Sequence, residues 1–105
     1  MIRIFATRKG AKCRLFATGH AAFSSGPDVV CAAVSALVLT LVSFARQRGH
    51  HVRYFVESGK AFLSCNGIEE AFDAILAGLG VLAAQYPENL ELSHTVAVDD
   101  KQKRM

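Results

Sequence analysis

The 105-residue chain has no tryptophan, two prolines and three cysteines. The cysteines, Cys13, Cys31 and Cys65, are odd in number and far apart, and no Cys-x-x-Cys pair occurs. That pattern argues against both a disulfide framework and a four-ligand zinc site. Charge of one sign is also scarce: twelve Lys and Arg against nine Asp and Glu leave a net +3. This is a mild lean toward anionic partners, far short of a dedicated nucleic-acid binder. The start, Met1-Ile2-Arg3-Ile4-Phe5, lacks the apolar stretch and small-residue cleavage site of a secretory signal. A reducing cytoplasm is the expected location.

What the chain does have is apolar residues, 51% of the total. This excludes intrinsic disorder, and the length suits a single core. Residues 1–98 are expected to form one domain and 99–105 a charged, flexible tail. The run from Val29 to Ala45 is apolar apart from Ser35, Thr40 and Ser43. It falls short of the roughly 18–20 residues of a membrane span and lies between strand-like segments, so a buried or dimer-covered helix is the better reading and no membrane is expected.

Alternation of apolar and polar residues predicts a hairpin from Ile2–Thr7 and Lys12–Phe16, with the pattern continuing to Thr18 and the turn at Arg8-Lys9-Gly10. Cys13, Leu15 and Ala17 share one face, and Arg14, Phe16 and Thr18 the other. Small residues, two glycines and Pro27 mark residues 19–27 as an irregular loop. Asp28 is a good N-cap for a long helix running to about Gln47 and closed by Gly49. A second hairpin follows, His51–Glu57 and Ala61–Cys65, then a helix from about Ile68 to Tyr86 ended by Pro87. A last strand contains Leu90, Leu92, Val96 and Val98. The order β-β-α-β-β-α-β predicts an α+β two-layer domain, an antiparallel-dominated sheet with two helices packed on it.

One thiol stands apart. With Asp28 as N-cap, Cys31 falls in the first helical turn, where backbone N–H groups and the helix dipole favour a thiolate and offer a place for an oxyanion. His20 stands upstream, separated from Asp28 by Ala21–Pro27, a loop long enough to bring the imidazole back to the helix start. Cys and His in reach of one another are the minimum for nucleophilic thiol catalysis. The bland alternatives are a Cys filling space in an apolar helix and a solvated His at a strand end. Ser35, four residues after Cys31, shares its helix face and has two readings: a partner near the thiolate, or a hydroxyl satisfied within the helix. Cys13 and Cys65 lie in strands and read as core. His50, His51 and His94 lack a carboxylate or thiol at ligand spacing, so no metal site is expected. Arg3, Arg8, Lys9, Lys12 and Arg14 make the first hairpin basic, either a solvated face or a weak contact for acidic surfaces or RNA.

The stretch Gly19-His20-Ala21, a loop, then Gly26-Pro27-Asp28-Val29-Val30-Cys31-Ala32-Ala33-Val34-Ser35 resembles the signature of the ribosomal-processing cysteine proteases, the Prp family. The opening Met1-Ile2-Arg3-Ile4, the element order and Gln85-Tyr86-Pro87-Glu88 extend the resemblance over nearly the whole chain. It implies that Cys31 is the nucleophile and His20 the catalytic histidine. Gly19, Phe23, Gly26, Asp28 and Ser35 are then supporting or substrate-binding positions. The His20–Cys31 stretch is one residue shorter than is common in the family, with Ser24-Ser25 where a Tyr or acidic residue is usual.

The resemblance further implies an endopeptidase that removes the N-terminal extension of large-subunit ribosomal protein twenty-seven, cutting after an aromatic residue. It implies a homodimer as well, and no cofactor. The Gly- and Ser-rich loop is the expected lid, closing over peptide to bring His20 to Cys31. The competing reading is a non-enzymatic ribosome-assembly module, binding ribosomal protein or RNA, in which Cys31 is structural.

Overall fold

A computed structural model describes residues 1–19 and 29–97. Its elements are β1 (Ile2–Lys9), β2 (Lys12–Thr18), α1 (Val29–Arg48), β3 (His50–Glu57), β4 (Lys60–Asn66), α2 (Glu69–Gln85) and β5 (Leu90–Ala97). The expected order holds. The first turn falls later than expected, at Gly10 and Ala11, with Gly10 at a φ of 57°. The end of the last strand at Val98 and the tail lie outside the described residues.

Five strands form one sheet in the order β3-β4-β2-β1-β5. Three of the pairings are antiparallel, but β5 runs parallel to β1. The sheet is therefore mixed, which alternation within single strands does not reveal. The connection carrying α2 takes the chain past two strands to the far edge. There a β-helix-β crossover imposes the parallel sense.

Alternation decides which face is buried. Ile2, Ile4 and Ala6 on β1, Cys13, Leu15 and Ala17 on β2, and Ala61, Leu63 and Cys65 on β4 all point to the helices. α1 meets them with Val30, Val34, Val38, Leu41, Val42 and Ala45, spaced at three and four residues, and α2 with Phe72, Leu76 and Leu79. By length and composition alone, α1 at 20 residues reaches what a membrane span requires. Its buried stripe, however, packs on the sheet as a core helix does. Gly78 of α2 faces Leu37 of α1, and a Cβ there would lie 3.3 Å from Leu37 Cδ1, so the bare backbone lets the helices close. α2 begins at Glu69, with Glu69 and Glu70 in its first turn where the dipole favours carboxylates. It ends where the Tyr86 N–H bonds the Leu82 carbonyl, just before Pro87.

Cys13 and Cys65 sit directly opposite one another on β2 and β4, both buried and neither in a disulfide. Burial first, and then the neighbouring Cys65, push the Cys13 thiol from 9.0 up to about 12; burial also raises Cys65. Between those two pH values the folded chain keeps a proton that the unfolded chain has lost, so stability falls as pH rises. The expected result is an unaffected stability below about pH 9 and a loss of about 1.4 kcal/mol per pH unit above it from Cys13. Urea midpoints measured from about pH 8 to 11 check this, with Cys13→Ala giving the shallower fall. Equal slopes for the two proteins would refute the assignment.

Candidate active site

Cys31 is the third residue of α1, half-buried and packed at the margin of the core. It is therefore in the first turn, the end where backbone N–H groups and the dipole present positive charge. It lines a cavity of about 150 Å³ bounded by α1, the ends of β1 and β2, and the β3–β4 turn. The walls are mostly apolar: Ile2, Ala17, Val34, Val38 and Val56 among them. Polar groups come from Thr18, Ser35, Glu57 and Lys60.

Two of the other expected site residues reach the same cavity. Ser35 lines it one helical turn beyond Cys31, as the four-residue spacing requires. Gly19 closes it from the end of β2. Its φ of 95° lies in the region that favours glycine. Its N–H donates to the Gly59 carbonyl at 2.9 Å, and a Cβ here would overlap the carbonyl oxygen of Met1. A glycine is thus needed for the chain to leave β2 against both the N-terminus and the β3–β4 turn. His20, Phe23, Gly26 and Asp28 lie outside the described residues, and so does the expected lid.

The remaining thiols and imidazoles take other positions. Cys13 and Cys65 are in the core, away from the cavity lining. His50 and His51 stand on β3 and His94 on β5, at opposite edges of the sheet. His94 meets the ring of Phe72 edge-on, at 6.3 Å between centroids. Among the described residues no group of three His, Cys, Asp or Glu side chains is arranged to hold a metal ion. Sequence reasoning did not foresee that the β3–β4 turn, with Glu57, Gly59 and Lys60, contributes to the Cys31 cavity. Those residues carry no motif, and only the β4–β2 pairing, Lys60 opposite Thr18, brings them there.

The fold is shared with solved structures. SMU.848 from Streptococcus mutans is 24% identical, with a TM-score of 0.66 over 94% of this chain and 96% of that one. The ribosomal processing protease Prp from S. aureus, solved in complex with a substrate peptide, is 23% identical, with a TM-score of 0.68 over 90% and 99%. The same protease with a covalently linked product peptide gives 24% and 0.69 over the same shares. At these identities the likeness is one of fold. No curated protein matches the chain. The family model for the cysteine protease Prp, in contrast, matches residues 1–91, with Gly19, Cys31 and Ser35 inside the match and around one cavity; the chain belongs to the Prp family of cysteine proteases.

Proposed function

We propose that this chain is a ribosomal-processing endopeptidase that removes the N-terminal extension of large-subunit ribosomal protein twenty-seven. The observation that carries the reading is the position of Cys31, in the first turn of α1 and at the wall of an apolar cavity. In the mechanism the Cys31 thiolate attacks the scissile carbonyl carbon, and backbone amides at the helix start hold the resulting oxyanion. The C–N bond breaks as His20 donates a proton to the leaving amine, leaving a thioester on Cys31. Water, deprotonated by His20, then attacks the thioester carbonyl and releases the carboxylate product and the thiolate. His20 follows Gly19, which lines the cavity. A cavity of about 150 Å³ with apolar walls admits a benzene-sized group. That size supports cleavage after an aromatic residue.

The S. aureus protease solved with a substrate peptide supports a peptide substrate for this chain as well. Cytoplasmic location and a homodimer belong to the same proposal. Val29, Leu39 and Phe44 keep apolar surface exposed on α1, and a second copy is one way to cover it.

The deciding experiment incubates the full chain with a peptide spanning the extension of its host's ribosomal protein. Expected is one cut after an aromatic residue. Iodoacetamide is expected to label Cys31 at neutral pH and leave the buried Cys13 and Cys65 unmodified. No cleavage of such a peptide, together with an inert Cys31, would favour the assembly module.

A further inference from the structure

Both helices cover one face of the sheet; among the described residues no element covers the other. Directly opposed residues on neighbouring strands share a face, so the pairing register gives this open face row by row. One row is Phe55–Phe62–Phe16–Phe5, four phenylalanines in line across β3, β4, β2 and β1. Phe5 is 49% exposed, Phe55 44% and Phe16 36%, while Phe62 is half-buried between its neighbours. Phe55 and Phe62 are stacked, their centroids 5.9 Å apart. Four of the chain's seven phenylalanines thus sit on the solvent side of the sheet.

The charges on this face are sorted as well. The row beside the phenylalanines reads Arg53–Ser64–Arg14–Thr7, and the next reads His50–Asn66–Lys12–Lys9. These two rows hold four cations and no carboxylate. A bulge between His50 and Arg53 adds one residue to β3, and His51 there takes a φ of 54°. His51 joins Lys12, Arg14, Arg53, Ser64 and Asn66 around an open depression. On the far side of the phenylalanine row, Arg3 and Lys60 are balanced by Glu57 and Glu91. Six of the chain's twelve Lys and Arg residues therefore lie on one face with two acids, whereas on the helix side Glu69, Glu70 and Asp73 of α2 offset Arg8, Arg46 and Arg48.

Exposed rings with a one-sided basic border are what a single-stranded polynucleotide requires: bases stack on the rings, and the backbone follows the cations. Duplex fits poorly, because its bases are already stacked on each other. A second copy of this chain fits poorly too, since like-charged faces would meet.

We propose that the open face of the sheet binds single-stranded RNA, with bases on Phe5, Phe16, Phe62 and Phe55 and phosphates along Arg14, Arg53, Lys12 and Lys9. The surface is separate from the Cys31 cavity, as none of these eight residues lines it. Cleavage and RNA binding are therefore two readouts of one chain.

The test is fluorescence anisotropy of a labelled oligouridylate of about twelve nucleotides with the full chain. Binding is expected at about 50 mM salt, weakening linearly in log–log form as salt rises. The double variant Arg14→Gln/Arg53→Gln should reduce the magnitude of that slope by about 1.4, the value for two lost phosphate contacts to a single strand. Phe16→Leu and Phe62→Leu preserve apolar bulk on the strand and remove the ring. Each is expected to weaken binding about five-fold or more, with peptide cleavage and melting temperature as controls for the fold. Failure of the wild-type chain to bind at about 50 mM salt would overturn the proposal. So would duplex binding as strong as single-strand binding with no effect of the leucine variants. Variants that shift the sedimentation of the protein and leave RNA affinity unchanged would assign the face to a second copy instead.

Discussion

Cys31→Ala is expected to lower peptide cleavage by about 10⁴-fold or more, because no other group can form the thioester. The folded state should change little. Cys31 is half-buried at the margin of the core, and alanine suits the first turn of a helix, so the stability change stays within about 1 kcal/mol. This separation is the informative part. A structural thiol predicts the reverse: measurable loss of stability and unchanged turnover. Cys31→Ser sharpens the contrast, since a hydroxyl in the same place retains the geometry but is a far poorer nucleophile at neutral pH. Cys13→Ala supplies the opposite pole, deleting a fully buried sulfur from the core with no group near the cavity removed. Cleavage by Cys31→Ala within about ten-fold of the parent chain would remove Cys31 from the chemistry.

The layer architecture and the candidate thiol were legible because they rest on local patterns. Period-two alternation marks Ile2–Thr7 and Lys12–Thr18 as half-buried strands, and a helical period marks Phe72, Leu76 and Leu79 as one face. Cys31 was legible for a different reason, as part of a long motif that carries the chain's helix start. What local pattern does not contain is lateral order. The parallel pairing of β5 with β1, and the meeting of the β3–β4 turn with the cavity, depend on which strands neighbour which. The phenylalanine row shows the same limit. Phe5, Phe16, Phe55 and Phe62 are scattered over nearly sixty residues of sequence and become one feature only through three separate registers. Net charge hid the basic border for a related reason: +3 is a sum, and the fold sorts its terms by face. Val52, Tyr54 and Val56 mark the converse case. They alternate with Arg53, Phe55 and Glu57 and point to the helix side, but β3 is an edge strand with little above it, so Tyr54 and Val56 stay exposed and Val52 half-buried. Arg46 lies over the Tyr54 ring at 5.2 Å, covering it with the end of α1 rather than with core.

Phe72→Ala is expected to cost about 3–5 kcal/mol, a large share of the roughly 5–15 kcal/mol that stabilises a domain of this size. Phe72 is fully buried on the face of α2 that meets the sheet, with His94 edge-on to its ring. The space its ring leaves is not easily refilled. Other members of its core cluster are fixed, Ile4, Leu15 and Leu90 by strand pairing and Leu76 and Leu79 by the helix itself. Neighbours fixed in this way relax only partly, so a cavity term adds to the lost transfer energy. The comparison that gives the experiment its force is Phe5→Ala. It deletes the same side chain from β1, but from the open face, where half of the ring already meets water. Only strand propensity and cross-strand contacts are lost there, about 1 kcal/mol. Urea unfolding of both variants measures the difference directly through the midpoint at constant slope. For a domain of about 100 residues, the Phe72 variant should melt some 12 °C or more below the parent, and the Phe5 variant within about 8 °C of it. Equal losses at the two positions would mean that the sheet buries both faces, and the open aromatic surface would have to be abandoned with it.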